Sequence, residues 1–397
     1  MKFSRRTALE ILGAGALAPA ASSSMAAAQV PPPRKEGKDT PKIALGMGDG
    51  GGARGAAPGA VPPDPAIGPR RIKQLGVDHV LGGGGPIPWT ESGLRTTMER
   101  WNAAGITVGN LMIGLSPDIL YGKAGAKREE DIERIRQSIV AAGKVGLPVV
   151  EYNFYAHRAM EGYFEEIDTN RGNSGWTGFD YELAQTADRP YQTRPEEKGM
   201  KFKDLPPLPN EGARTLDEMW NNIAYFLKAV IPTAEKAGVR LALHPNDPPA
   251  PISRGSRQIM GTVDGWKKLI SIVDSPANGI TYDCGVTREM GEDPVAVCRY
   301  FASRDRINHA HFRNVLVTKP YERYTEVWID EGLNNMFAVM KELVRHKYRF
   351  QIYPEHPRRL DYDAECGRVF GYPGGGGYAA IAFNVGYTRA MLQAAMS

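Results

Sequence analysis

Short apolar segments alternate with amphipathic stretches along most of the chain. Eight of these segments read as buried strands, each bounded by polar or turn-forming residues. The predicted strands are Ile43–Met47, Val77–Leu81, Ile106–Ile113, Pro148–Phe154, Arg240–His244, Gly279–Asp283, Ile307–Phe312 and Phe350–Pro354. Apolar residues at i, i+3 and i+4 predict helices between and after them. The main helices are Glu129–Gly143, Leu216–Ala237, Val263–Val273, Val295–Ser303, Met336–His346 and Tyr378–Ala395.

Eight strands, each followed by a helix or helix-like segment, predict an α/β fold of the (β/α)₈ TIM-barrel type. A doubly wound open sheet is the alternative. That fold would place a G-x-G-x-x-G phosphate motif between the first strand and a helix. The glycine-rich segment Gly46–Gly52 (GMGDGGG) lacks this pattern. We therefore predict a single catalytic barrel domain over residues 42–397.

One connection is far longer than the usual βα loop of ~2–6 residues. Residues 156–213 separate the fourth strand from its helix and contain Trp176, Phe179, Tyr181 and Tyr191. The βα loops of a barrel lie at the C-terminal face, where TIM-barrel active sites are built. We expect this insertion to act as a lid or substrate wall, with a disordered surface insertion as the alternative.

The first 41 residues are predicted to lie outside the barrel. Residues 1–28 combine Arg5 and Arg6 with a short apolar run and alanines before Gln29. This pattern is typical of a cleavable, twin-arginine-like export signal. It predicts a periplasmic or otherwise exported protein. Residues 29–41 are rich in proline and charge and predict a flexible leader.

Composition narrows the classes of partner. A formal net charge of +4 over 397 residues gives no case for nucleic acid or an anionic membrane as partner. After residue 30 no stretch reaches the ~18 consecutive apolar residues of a membrane span. Cys284, Cys298 and Cys366 are too few for a disulfide scaffold, although one bridge stays open. We expect a small-molecule partner, and the sequence leaves a homo-oligomer open.

Polar residues gather at the ends of the last four predicted strands. These strands end at or next to His244, Asp283, His311 and Glu355. Because the carboxyl ends of barrel strands converge, we expect the four side chains to meet. Imidazole nitrogens with carboxylate oxygens suit Mn²⁺, Mg²⁺, Fe²⁺, Co²⁺ or Zn²⁺. His309 shares a strand face with His311 and is expected to orient a neighbour or fill a barrel layer.

Several motifs in this order resemble those of mannonate dehydratases. They are HPNDPP from His244, SPANGIT from Ser275, HFRNV from His311, PEH from Pro354, YNF from Tyr152 and Gly377-Tyr378. The resemblance runs from about residue 70 to the end of the chain. It implies a xylose-isomerase-like barrel that binds a divalent metal, usually Mn²⁺. The implied activity is that of a lyase removing water from a sugar acid, of the D-mannonate to 2-keto-3-deoxy-gluconate type.

Two metal-ligand positions depart from the family pattern. The family has Gly-Leu-Thr-Phe-Cys-Thr-Gly with cysteine as ligand, and without a gap that ligand falls on Asp283. Strand alternation supports this register, because Thr281 and Asp283 share a face that Cys284 does not. On the eighth strand the family aspartate is replaced by Glu355. Cys284 stays the alternative to Asp283 in the predicted ligand set of His244, Asp283, His311 and Glu355.

The resemblance also assigns proton transfer to His356 and Tyr378, without deciding which is acid and which is base. Dehydration needs both, since a proton α to the carboxylate leaves and the next hydroxyl is expelled. Arg313, Arg358 or Arg359 could grip the substrate carboxylate through a bidentate guanidinium. The remaining expected substrate contacts are Asn153 and Asp247.

Two other functions stay open. A periplasmic isomerase or epimerase of the same superfamily would use a similar metal site on a neutral sugar. Such enzymes usually have glutamate on the fifth strand where this chain has His244, which favours dehydration. A non-catalytic exported sugar-binding protein would have no need of a metal cage, so His244, His311 and Glu355 argue against it.

Overall fold

The computed structural model describes residues 36–50, 66–166, 170–186, 194–209, 212–367 and 371–397. The strands within these ranges are β1 (Lys42–Gly46), β2 (His79–Gly83), β3 (Thr107–Ile113), β4 (Val149–Tyr152), β5 (Tyr163–Glu166), β6 (Trp176–Asp180), β7 (Arg240–Leu243), β8 (Ile252–Ser253), β9 (Ser256–Arg257), β10 (Asn278–Asp283), β11 (Ile307–His311), β12 (Asn314–Lys319), β13 (Arg323–Val327) and β14 (Gln351–Tyr353). The predicted export signal, residues 1–28, and most of the predicted leader lie outside the described residues.

Helices follow or flank these strands throughout the described chain. They are α1 (Ile67–Gln74), α2 (Glu91–Asn102), α3 (Pro117–Leu120), α4 (Ala126–Lys144), α5 (Leu216–Ala237), α6 (Val263–Ile272), α7 (Cys284–Glu289), α8 (Pro294–Ala302), α9 (Met336–Arg345), α10 (Asp361–Glu365) and α11 (Tyr378–Ala395). None of the helices in the described part of the chain combines the length and apolar content needed to span a membrane.

Eight parallel strands close into a barrel in the order β1-β14-β11-β10-β7-β4-β3-β2. Each neighbour is the preceding or following barrel strand in the sequence, and β14 closes the ring against β1. The predicted (β/α)₈ TIM barrel is therefore confirmed. The second strand begins and ends two residues later than predicted, and its end was missed because Gly82 and Gly83 carry no apolar signal.

Helix α5 shows how local sequence sets an element. Thr215 caps its first turn, and the Glu218 side chain bonds back to the Thr215 backbone in a capping box. Gly238 ends the helix with a left-handed φ of 69°, a conformation that glycine adopts without steric cost. The buried face includes Phe226, whose ring lies 5.7 Å from that of Tyr152 in β4. This contact fixes the helix that follows the long insertion against the barrel wall.

The described part of the 156–213 insertion is folded. Its strands β5 and β6 pair with the β12–β13 hairpin, which follows the seventh barrel strand, in an antiparallel sheet of order β12-β13-β6-β5. A small apolar core supports this sheet, with Phe179 stacked 5.2 Å from Tyr324 and edge-on to Tyr163 and Phe202. The disordered-insertion alternative does not hold for this part. Its role as a lid stays a prediction.

A buried ion cluster ties the insertion to the loop after β7. The Arg254 guanidinium donates to Glu161 Oε1 at 2.6 Å and to both carboxylate oxygens of Glu197 at 2.7 and 2.9 Å. All three side chains are at most 2% exposed. The hydrogen bond from Arg254 lowers the pKa of Glu197 to about 2. Glu197 therefore stays charged and paired at neutral pH.

Arg254→Met is expected to destabilise the protein by about 3 kcal/mol, because two buried carboxylates lose their shared buried partner and keep only Arg194 and His157. Lys267→Met is the control, since Lys267 pairs with the exposed Asp264 and such a pair contributes about 0–1 kcal/mol. The measurement is the free energy of unfolding in denaturant. Glu197 has a lowered folded-state pKa, so its contribution is present above pH 4.5 and lost towards pH 2. Equal stability of both variants at pH 7 would refute the role of the cluster.

Candidate metal centre

The four predicted ligand residues converge at the C-terminal face of the barrel. His311 Nδ1 lies 2.9 Å from Glu355 Oε1 and 3.6 Å from Asp283 Oδ2. The His244 ring lies 5.0 Å from that of His311. Donor atoms of Asp283, His311 and Glu355 all lie within 4.8 Å of one another. Asp283, His311 and Glu355 thus form a buried group of nitrogen and oxygen donors that could hold a metal ion, with the half-buried His244 beside it.

The local backbone fixes the tautomer of His244. Its Nδ1 lies 2.7 Å from the carbonyl oxygen of Pro245, which can only accept a hydrogen bond. Nδ1 therefore carries the hydrogen, and Nε2 keeps a free lone pair. This is the arrangement that metal-binding histidines use, with the second ring nitrogen bonded to a backbone carbonyl.

Glu151 in β4 is a member of this centre that the sequence reasoning missed. It is 2% exposed, and its carboxylate accepts hydrogen bonds from Asn110 at 2.8 Å and Thr281 at 2.7 Å. With His244 and His311 it forms a second group whose donor atoms lie within 4.8 Å of one another. The available signal was a charged residue inside the apolar strand sequence VVEY.

The structure separates Asp283 from Cys284 as strand alternation predicts. The Asp283 carboxylate faces His311 and also caps α7 by accepting from Val286 N at 2.8 Å. Cys284 Sγ points instead towards backbone carbonyls, 3.2 Å from that of Arg313. Burial, together with the Asp283 charge, raises the pKa of Cys284. All three cysteines are free, so the disulfide left open by the sequence is not present.

Arg313 lies among the carboxylates of the centre. Its Nε is 3.1 Å from Asp283 Oδ2 and 3.2 Å from Glu355 Oε1, and its Nη1 is 2.6 Å from Glu289 Oε1. Asp247 and Glu326 lie within 3.6 Å of the same guanidinium, which is 3% exposed. Burial opposes charge, but Arg313 together with His311 lowers the pKa of Asp283. Arg313 is thus a buried counter-ion to the protein's own acids, although the sequence suggested a substrate contact.

His356 is oriented by a residue from the second sheet. Its Nδ1 lies 2.8 Å from Glu326 Oε2 in β13, and its Nε2 lies 3.5 Å from Glu355 Oε2. Arg358 donates to the same Glu326 oxygen at 2.9 Å. Burial lowers the pKa of His356, but the Glu326 and Glu355 carboxylates outweigh it and raise that pKa. Glu326 gave no sequence signal, because it comes from a hairpin that has no place in the βα pattern.

The remaining predicted site residues are not among the candidate metal ligands, and each contacts another group of the protein. Tyr378 begins α11, and its hydroxyl donates to the Arg71 carbonyl at 2.8 Å. The Asn153 amide lies 3.5 Å from Met112 Sδ. Asp247 accepts from the Tyr163 hydroxyl at 2.8 Å. Arg358 is 1% exposed and bonded to protein groups, so it is not available to a substrate.

His309 lies one layer below His311 and is fully buried. The two rings are 4.9 Å apart and perpendicular. Burial lowers the pKa of His309 to about 4, so it is neutral at pH 7. This agrees with the expected filling of a barrel layer.

Solved structures share this architecture. The mannonate dehydratase from Streptococcus suis serotype 2 superposes with a TM-score of 0.68 and 25% identity, covering 90% of this chain and 94% of that one. A D-psicose 3-epimerase with D-tagatose from Clostridium cellulolyticum H10 superposes with a TM-score of 0.51 and 13% identity, covering 89% and 96%. The second similarity shows the barrel fold alone.

Curated relatives agree with the first of these structures. The mannonate dehydratase of Streptococcus equi subsp. zooepidemicus is 31% identical over 284 residues, which are 67% of this chain and 73% of the relative. That of Streptococcus pneumoniae is 32% identical over 257 residues, 62% and 68% of the two chains.

The expectation of a periplasmic or exported protein is wrong; it is contradicted by the match to these mannonate dehydratases. That expectation rested on the composition of residues 1–28. These residues lie outside the part of the chain that the structure describes.

The family model of D-mannonate dehydratase (UxuA) matches residues 66–396, nearly the whole barrel. The match includes every strand that supplies a residue to the centre; β1 lies outside the match and supplies none. The chain belongs to the D-mannonate dehydratase family of hydro-lyases.

Proposed function

We propose that the protein is a metal-dependent hydro-lyase that removes water from a sugar acid, of the D-mannonate to 2-keto-3-deoxy-gluconate type. The observation that carries the proposal is two overlapping groups of nitrogen and oxygen donors, which share His311, at the C-terminal face of a barrel of this family. The partner is accordingly a small-molecule sugar acid. A likeness to epimerases is limited to the fold.

We infer that His244, Asp283, His311 and Glu355 hold the cation, with Mn²⁺ as the expected metal. Two observations support this fit. The Nδ1 of His311 and the Oε1 of Glu355 are buried and lack a hydrogen bond to any described residue, although they lie close together. The Nε2 of His244 is left with a free lone pair. Mg²⁺, Fe²⁺, Co²⁺ and Zn²⁺ also suit nitrogen and oxygen donors.

The bound cation would supply Lewis-acid stabilisation of the negative charge that develops on the substrate when its α proton leaves. His356 would move a proton at Nε2, because its Nδ1 is held by Glu326. A raised pKa suits donation to the departing hydroxyl. The resemblance assigns the second proton transfer to Tyr378, which would accept the α proton as the phenolate after releasing its bond to the Arg71 carbonyl. Asn153, half-buried at the end of β4, would contact a sugar hydroxyl.

Metal content and D-mannonate dehydration are measured together on the wild type, Asp283→Ala and Cys284→Ala. We expect about one equivalent of Mn²⁺ and turnover in the wild type. Asp283→Ala is expected to lose at least about 10-fold in metal affinity, together with turnover, because a ligand is removed. Cys284→Ala should retain both, since its sulfur faces backbone carbonyls.

Cys284→Ala is also the control for local packing, because the two residues are adjacent in the chain. Loss of metal in Cys284→Ala with retention in Asp283→Ala would overturn the ligand assignment. Metal binding without turnover of mannonate would overturn the proposed reaction.

Glu326→Gln is expected to lower kcat by about 10- to 100-fold while metal content is unchanged, because the residue that orients His356 loses its charge. Glu326 raises the pKa of His356, so its neutralisation should move the His356-dependent limb of the kcat profile to lower pH. Glu165→Gln is the control, since Glu165 lies in the same sheet and the change removes the charge of its ion pair with Arg359. If Glu326→Gln has the same kcat and the same pH profile as the wild type, Glu326 does not orient His356 for proton transfer.

A further inference from the structure

The arginines expected to bind the substrate carboxylate are used within the protein. Arg313 is 2% exposed and lies among the carboxylates of the centre. Arg358 donates to Thr177, Glu326 and the backbone of His356. Arg359 donates to Glu165 in β5 of the second sheet. If a guanidinium grips the substrate carboxylate, it must therefore come from another residue.

Arg158, at the start of the insertion, has the geometry for this task. Its Nε donates to the backbone carbonyl of Asp247 at 2.8 Å, and its Nη2 lies 3.8 Å from Asp247 Oδ2. Its side chain is 37% exposed. Among the described residues, none forms a hydrogen bond with Nη1 or Nη2 of Arg158. One edge of the guanidinium is thus fixed, and the other is open to a ligand.

Contacts with Asp247 place this guanidinium beside the metal centre. Asp247 lies three residues after His244, and its Oδ2 lies 3.5 Å from Nη2 of the buried Arg313. The Tyr163 hydroxyl donates to the other Asp247 oxygen at 2.8 Å. Burial opposes charge on Arg158, but the Asp247 and Glu355 carboxylates raise its pKa. Asp247 is therefore fixed by contacts with Arg158, Tyr163 and Arg313, and its backbone carbonyl orients the Arg158 guanidinium.

We propose that Arg158 binds the substrate carboxylate and so restricts the site to sugar acids. The inference rests on the proposed function. A guanidinium matches a carboxylate with parallel hydrogen bonds, and an ammonium group cannot reproduce this geometry. Asp247 and Tyr163 are positioning residues for Arg158. A neutral sugar would gain nothing from the charge, so the residue separates acids from sugars of the same length.

The test measures binding of D-gluconate and of its neutral counterpart D-sorbitol to the Mn²⁺-loaded protein by calorimetry, together with kcat and KM for D-mannonate. Arg158→Met is expected to weaken D-gluconate binding and raise KM by about 10- to 100-fold, since charged hydrogen bonds to the carboxylate are lost. D-Sorbitol binding and Mn²⁺ content should not change. Arg158→Lys should retain part of the affinity for D-gluconate.

Arg171→Met is the matched control, because Arg171 lies on the same insertion but pairs with Asp330 and Glu331. Its affinity for D-gluconate should equal that of the wild type. Unchanged D-gluconate affinity and KM in Arg158→Met would overturn the inference. Turnover of D-mannonate by the wild type would still support the proposed function in that case. Absence of both turnover and D-gluconate binding in the wild type would overturn the two together.

Discussion

An excess of buried negative charge at one end of the barrel is the constraint on which the rest of the site depends. Five carboxylates lie within 3.6 Å of the buried guanidinium of Arg313, and Glu151 adds a sixth acid nearby. Burying unpaired charge is costly, so such a group requires further cations. The neighbouring carboxylates raise the pKa of His311 and of His356, and burial raises the pKa of Glu289. A bound divalent cation would compensate the same negative charge without protonation of these three residues.

The fold places these charges through three separate segments. The barrel strands supply the donor atoms, because their carboxyl ends converge. The β12–β13 hairpin supplies Glu326, which holds His356, and the insertion supplies Tyr163 and Arg158, which meet Asp247. The buried cluster of Arg254 with Glu161 and Glu197 holds the insertion near the metal centre. The substrate side of the site therefore depends on segments outside the βα repeat.

The sequence predicted the parts of the molecule that follow a local period. Eight apolar segments located the barrel strands, and polar residues at their ends located His244, Asp283, His311 and Glu355. Strand alternation alone placed Asp283 and Cys284 on opposite faces. Glu326 and Arg158 could not be found in this way, because their positions depend on sheet pairing and loop packing between distant segments. For the same reason Arg313 and Arg358 were taken for substrate contacts, since their internal partners are far away in sequence.

The expectation of export failed for a different reason. It was based on a composition pattern near the N-terminus, which has no physical link to the barrel or to its chemistry. The barrel, the donor set and the family match depend only on residues after that segment.

The most direct test of the central claim is anomalous diffraction at the manganese edge from crystals of the Mn²⁺-loaded protein. The account predicts one anomalous peak in contact with His244 Nε2, Asp283, His311 and Glu355, with Cys284 Sγ turned away from it. A peak bonded to Cys284, or one centred on Asp247, Glu326 and His356 instead, would contradict it.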